Sequence, residues 1–217
     1  VTGVQTCALP ISGQGLHRIL WNFRRDQLRP DINGVFVYGD YRGARVSPGT
    51  YKARLMMGNQ LDSAAINIVQ ETKLTASTAD WEEQQQFLEA LSDRIKEIHT
   101  TVNRSRTIAK QVKAYLDVLG GMAPRTGLVN AAKELLQNLQ AWEGELVEPR
   151  IKNGQDVINW PSKLNVEYFS LKGLADQHDP RLTEGVKERF KDLEQQWRRL
   201  LAQFEGPLLQ QVRTFNE

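Results

Sequence analysis

Three histidines, His17, His99 and His178, are the first residues to weigh for chemistry, and they lie too far apart to form a local metal motif. The cluster Asp176-Gln177-His178-Asp179 holds the oxygen and nitrogen atoms that a hard or borderline metal takes. It also has the composition of a helix C-terminus running into a turn before Pro180, and that reading is preferred. His99 sits beside an apolar helical seam and is expected to face solvent. Carboxylates crowd at Asp80, Glu82 and Glu83 and again at Glu143 and Glu145. Those positions fall in first turns or on polar faces, where solvation and the helix dipole account for them. No Gly-rich phosphate loop, nucleophile elbow or zinc-protease helix motif occurs. The sequence therefore assigns no catalytic residue, no metal ligand and no cofactor site.

Charge and aromatics give one further pointer. From Ser12 to Gln60, seven Arg and one Lys stand against three Asp, interleaved with Trp21, Tyr38, Tyr41 and Tyr51. That mixture superficially suits nucleic acid or glycan contact. Strand alternation already explains Arg24 and Arg54 as a solvent face, and the whole chain carries a net charge of only +2. No nucleic-acid partner is expected. No apolar run approaches the roughly 18 residues of a membrane span, so none is expected. Asn103-Arg104-Ser105 fits a glycosylation sequon, set in mid-helix.

The elements that must position these residues change character near residue 75. Before it the apolar pattern has period two; after it the pattern is helical. Ile19, Trp21 and Phe23 alternate as a strand with one buried face, and Val35 to Tyr38 forms a second short apolar run. Ser47-Pro48-Gly49 is a turn signal. Thr50 to Met57 alternates again, Gly58-Asn59 reads as a tight hairpin turn, and a return strand follows through Ile66 and Ile68. About four strands are expected.

Ser77-Thr78-Ala79-Asp80 resembles a capping box. From there Leu88, Leu91, Ile95, Ile98, Val102, Ser105, Ala109, Val112, Leu116 and Leu119 alternate spacings of three and four, a heptad seam. Continuous from Thr78 to Leu119, that helix is roughly 60 Å long at about 1.5 Å per residue. Gly120-Gly121 and Pro124 end it. A second helix carries Leu128, Ala132, Leu135, Leu139, Trp142 and Leu146, and Pro149 to Pro161 is a connector. A third uses Leu164, Tyr168, Leu171 and Leu174 or Ala175, stopping at Asp179-Pro180. Thr183 caps a fourth with Val186, Phe190, Leu193, Trp197, Leu200 and Phe204, which Gly206-Pro207 should kink or break. The expected fold is α+β: a partial Ig-like antiparallel β-sandwich over residues 12–74, then an antiparallel three- to four-helix bundle with one long helix over residues 75–217.

Two resemblances frame this reading. Val1 to Ile11 (VTGVQTCALPI) is similar to the conceptual translation of a short-read sequencing adapter, so residues 1–11 are taken as an artefactual tail. The natural sequence is then expected to begin near Ser12. Cys7, the chain's only cysteine, falls inside that tail, and no disulfide framework is expected.

The second resemblance rests on Gly15-Leu16-His17-Arg18-Ile19-Leu20-Trp21-Asn22-Phe23-Arg24, on Ser47-Pro48-Gly49-Thr50-Tyr51-Lys52-Ala53-Arg54-Leu55, and on Ile158-Asn159-Trp160-Pro161-Ser162-Lys163-Leu164-Asn165. In order and spacing they resemble the C-terminal region of bacterial exported proteins with sortilin-like (VPS10/BNR-repeat) β-propellers, often labelled glycosyl hydrolases. Glu71-Thr72-Lys73 stands where that family places Asp-Pro-Arg. The resemblance implies a non-catalytic C-terminal accessory module, periplasmic or extracellular, whose partner is a missing N-terminal β-propeller of the same polypeptide. A protein partner through the helices is possible. The alternatives are a fragment of a glycan- or peptide-hydrolysing enzyme, with Trp21, Tyr38 and Tyr41 as wall residues, and a coiled coil self-associating through the Leu88 to Leu119 seam.

Overall fold

Period-two alternation from residue 49 to 68 makes a β-hairpin in the computed structural model, which describes residues 15–119 and 126–216. Strand β1 (Gly49–Met57) pairs antiparallel with β2 (Gln60–Ile68), from Gly49 opposite Ile68 to Met57 opposite Gln60. Gly58 takes φ +58° and Asn59 does not follow it to positive φ, which is the II′ form of a two-residue hairpin turn. Tyr51, Ala53, Leu55 and Met57 share one face with Ile66 and Ala64.

Two of the expected strands are absent. Residues 19–24 and 35–38 are irregular, and the sheet has two strands among the described residues rather than about four. Phe23 shows why the first fails: its φ of 56° lies in the left-handed region and breaks the extended run. The chain beyond it pairs loosely with residues 41–46 instead, through Val46 N–H to Phe23 O (2.9 Å), Arg25 N–H to Ala44 O (2.9 Å) and Leu28 N–H to Tyr41 O (2.8 Å). Only Arg24 and Arg45 form a β-bridge there. The molecule is thus mixed α and β and mostly helical.

Helix α1 (Thr78–Leu119) begins as its sequence signalled. The Asp80 carboxylate accepts from the Ser77 N–H and hydroxyl, both at 2.7 Å, and the Asp80 N–H donates to Ser77 Oγ at 3.2 Å. Its seam is buried from Leu88 to Ser105 and again at Val112, with Leu88, Leu91, Ile95, Ile98 and Val102 wholly inaccessible and Ala109 and Leu116 half-buried. It packs on α2 (Thr126–Leu146) and α3 (Leu164–Ala175). Helix α4 (Glu184–Gln203) packs on α3 and opens with the Thr183 side chain accepting from Val186 N–H. Pro207 does not break the last run. One π turn over Phe204–Leu208 absorbs its missing N–H, and α5 (Leu209–Asn216) continues. The Val1–Ile11 segment with Cys7, and the Gly120-Gly121 and Pro124 stop signals, lie outside the described residues.

One core runs through the change of secondary structure at residue 75. Leu28, Ile32, Val37 and Ala44 from the irregular segment join Leu88, Ile95, Leu139, Tyr168, Phe169, Trp197 and Phe204. Close approach makes this possible: a Cβ on Gly43 would lie 2.2 Å from Arg25 O, and one on Gly39 would lie 2.4 Å from the Phe169 ring. No helix is long and apolar enough to cross a membrane among the described residues.

Candidate functional site

Several groups with the types that catalysis uses hold elements together. Asp176, at the C-terminus of α3, accepts from Arg24 Nη1 at 2.6 Å and from the Arg45 N–H at 3.1 Å. Arg24 Nη1 also donates to Gly43 O at 2.8 Å. One turn back, buried Lys172 donates to the carbonyls of Arg42 (2.8 Å) and Asp40 (3.3 Å). Desolvation holds Lys172 below the usual lysine pKa, with the Asp176 and Asp40 carboxylates acting the other way. These contacts pin the irregular 24–46 segment onto α3. Of the remaining cluster, Asp179 pairs with Arg181, and His178 Nε2 lies 2.8 Å from Glu71. The four-residue run is a turn whose side chains face different partners.

His99 corrects an expectation. It is buried, not solvent-facing, with Nδ1 2.7 Å from Pro30 O and Nε2 2.9 Å from Asn165 Oδ1. Its flank of α1 lies beside the seam, and the irregular segment covers it with Tyr41, whose ring centroid is 5.8 Å from the imidazole. Burial pushes the His99 pKa down, against its hydrogen bonds. A neutral imidazole donating from Nδ1 to Pro30 needs a donor at Nε2. Asn165 Nδ2 is buried with no hydrogen-bond partner among the described residues. Exchanging the Asn165 amide O and N satisfies both groups at once. His17 stands on the exposed segment before Trp21.

Several carboxylates on the helices likewise tie elements together. Glu194 accepts from Arg94 (2.5 and 2.8 Å) and from the Tyr168 hydroxyl (3.1 Å), while Glu97 accepts from Trp197 Nε1 at 2.9 Å. This network ties α1, α3 and α4 together, and burial first, then Glu194, pushes the Tyr168 hydroxyl up. Glu143 accepts from Arg106 at 2.5 Å, and Glu83 pairs with Lys187 at 2.6 Å. Among the described residues no three His, Cys, Asp or Glu side chains converge as a metal site would require.

What remains open is the β-rich end. Of the fifteen large apolar side chains exposed among the described residues, eleven lie between Leu16 and Val69. They include Leu16, Leu20 and Phe23 on the irregular arm and Leu55, Met56, Met57 and Leu61 at the hairpin tip. Among the described residues the hairpin also has two open edges. With Met57 and Gln60 closing the turn, alternate pairing aims the backbone N–H and C=O of Thr50, Lys52, Arg54 and Met56 outward on β1.

At the hairpin base, between Tyr51 and the first turns of α1, lies a cavity of about 600 Å³. Trp81 lines it, fixed by an Nε1–H donated to Gln70 Oε1 at 2.6 Å. Tyr51 is fixed by its hydroxyl donating to Ser47 O at 2.7 Å, and its ring packs edge-on against Trp21 at 5.6 Å. Arg25 reaches in from the irregular segment, donating to Gln85 Oε1 at 3.2 Å with Glu89 at 3.7 Å. Its Nε is buried with no hydrogen-bond partner among the described residues.

The aromatic residues singled out as wall candidates do not converge. Trp21 belongs to this cluster with Phe23 and Tyr51, whereas Tyr41 packs inward on Phe169 and His99, and Tyr38 lies over Gly154. Trp81, Gln70 and Arg25 were not legible as a group, because they come from three segments that meet only in the fold. The nearest signal was Trp81 in the first turn of α1, a large apolar residue one position after the capping acid. Compared with known proteins, the chain matches no family model, no curated protein and no solved structure.

Proposed function

We propose that this chain is a non-catalytic accessory and docking module, the C-terminal part of a larger exported protein, periplasmic or extracellular, that carries a β-propeller. The observation that carries the docking role is the exposed apolar tip of the hairpin, Leu55, Met56, Met57 and Leu61, beside two strand edges that are open among the described residues. An isolated two-stranded hairpin is marginal in water, and contiguous exposed apolar surface marks an interaction face. The hairpin then serves as one pair of strands of an Ig-like antiparallel sandwich, completed by preceding polypeptide, and the helices form the bundle that braces it. The exported, propeller-bearing context rests on the sequence resemblance alone.

The second reading, a fragment contributing to a glycan- or peptide-hydrolysing enzyme, has the cavity at the hairpin base beside Tyr51 and Trp81 as its one candidate wall, and Trp21, Tyr38 and Tyr41 do not line it. Turnover of a glycan or peptide panel by the isolated chain would favour it over the first. Self-association through the Leu88 to Leu119 seam has less surface to use, because Leu88, Leu91, Ile95, Ile98, Val102, Ser105 and Val112 are already buried within one chain, with Ala109 and Leu116 half-buried. Recovering the gene upstream of Ser12 tests the leading reading. Propeller repeats behind an export signal are expected, and a short ordinary start near Ser12 would overturn it.

A further inference from the structure

We infer that residues 29–38 form a lid over one flank of α1, latched by His99 and Asn165 and released by acid while the helices stay folded. The inference goes beyond the docking role and does not depend on it.

The lid is a loop whose two ends are tied to each other and to α3. Leu28 N–H donates to Tyr41 O at 2.8 Å and Arg25 N–H to Ala44 O at 2.9 Å, and Gly39 lies against the Phe169 ring. Arg24 fastens one end to α3 through Asp176, and Lys172 fastens the other through the carbonyls of Asp40 and Arg42. Between those ends the chain forms neither helix nor strand, the form of an Ω-loop. The loop buries the side chains of Ile32 and Val37. It is linked to α1 by His99 Nδ1, 2.7 Å from Pro30 O, by Asn103, which donates to Asp31 O at 2.7 Å and accepts from the Asn33 N–H at 3.1 Å, and by Arg106, which donates to Asn33 O.

The latch can hydrogen-bond either charge state of the imidazole. As they stand, the two ring nitrogens face two oxygens, Pro30 O and Asn165 Oδ1 at 2.9 Å, which suits a cation with two N–H donors. Turning over the Asn165 amide, whose Nδ2 is buried without a hydrogen-bond partner among the described residues, suits the neutral ring. The cation nonetheless stays buried against a carbonyl and an amide rather than a carboxylate, and that costs. Asp31 acts to keep the proton on, and Arg29 is ion-paired to Asp31. Tyr41 stacks on the ring, its hydroxyl pushed up by burial and so neutral, and α3 presents Asn165 and Phe169, neither of which titrates. Arg106, at the far side of the lid, pairs with Glu143 of α2.

Hydrating the cation requires one of its covers to move. Helix α3 is packed on α1 and α4 and bonded to α4 through Tyr168 and Glu194, whereas the lid has only the links to α1 and its two apolar side chains. With the lid open, His99 takes a proton near its ordinary pKa of 6.5; with it closed, burial holds the ring lower. The proton therefore binds the open form first, and opening grows as pH falls from about 6.5 toward the closed-state pKa.

The test follows a thiol placed on the lid, Val37→Cys in a Cys7→Ser chain, labelled with a maleimide. Its rate at each pH is divided by that of the same chain unfolded in urea, which removes the reagent's own pH dependence. The normalised rate should rise by about 5-fold or more from pH 7.5 to pH 5, with the midpoint of the His99 imidazole titration read by NMR and assigned by its loss in His99→Gln. The helical signal at 222 nm should stay constant. His99→Gln should abolish the rise, and Asn165→Asp, which sets a carboxylate against Nε2, should keep the lid shut at pH 5. Circular dichroism confirms the fold of each variant. A flat rate in the parent chain, a rise that persists in folded His99→Gln or folded Asn165→Asp, or a rise that comes with lost helical signal would each overturn the assignment.

Discussion

Replacing Gly43 by alanine should destabilise this protein by about 3 kcal/mol, although glycine to alanine in a loop ordinarily stabilises by about 0.4–1 kcal/mol through the unfolded chain. The new Cβ would sit 2.2 Å from Arg25 O, 2.3 Å from Asp26 O and 2.4 Å from Arg25 C. All three are backbone atoms, so no side chain can swing away. A comfortable C···O contact is about 3.3 Å or more, so the 23–28 and 41–46 strips must part by about 1 Å. Overpacking of that kind costs about 1–3 kcal/mol.

The displacement also strains the Leu28 N–H to Tyr41 O bond and the Arg24 contact to Gly43 O, both 2.8 Å. Each such bond contributes about 0.5–1.5 kcal/mol net. For a chain of this size about 3 kcal/mol corresponds to a fall of about 6–12 °C in Tm. Urea unfolding followed by circular dichroism, with calorimetry alongside, reads both quantities. The matched control is Gly144→Ala, in the last turn of α2 with nothing within 4 Å of its Cβ position. It should stabilise by about 0.5–1 kcal/mol. A neutral or stabilising Gly43→Ala would refute the close packing of the irregular segment on itself.

Other perturbations probe the rest of the body. Arg24→Met should cost about 3–5 kcal/mol by stranding the buried Asp176 carboxylate, and the double variant with Asp176→Leu should recover most of it; equal losses in both would deny the pair its buried character. Ile98→Asp places a charge at a wholly inaccessible seam position and should abolish the cooperative helical signal at 222 nm. His99 is neutral in the fold and its pKa is pushed down by burial, so below its usual 6.5 the unfolded chain binds the extra proton first. Stability should therefore fall as pH drops from about 6.5 toward the folded-state pKa, where the fall ends. Denaturant midpoints of wild type and His99→Gln across that window check this, and an identical slope in the two would contradict it.

The helical half was legible because its signals are local. The Ser77–Asp80 box, the three/four seam and the Thr183 cap each act within one helix, and each stands where the sequence placed it. The Thr50 to Met57 strand, the Gly58 turn and the return strand were legible for the same reason. The irregular segment was not. Alternation at Ile19, Trp21 and Phe23 predicts a strand only if a partner accepts its backbone bonds, and pairing partners are a property of the whole chain. His99 was misread by the same blindness. A helical wheel shows the seam but not the second layer, residues 28–46, that closes over its flank. Gly206-Pro207 disturbs the last helix where the sequence placed it, as one π turn inside a packed run rather than as a break.

Amide hydrogen exchange along β1, in this chain alone and in the longer propeller-bearing polypeptide proposed above, tests the docking role most directly. The outward N–H groups of Thr50, Lys52, Arg54 and Met56 should exchange freely in the chain alone. In the longer polypeptide they should slow by about 100-fold or more, while the α1 amides around Ile95 and Ile98 stay equally protected in both. Equal, fast exchange of the β1 edge in both would show that nothing docks there, and the account of this chain as a docking module would fail.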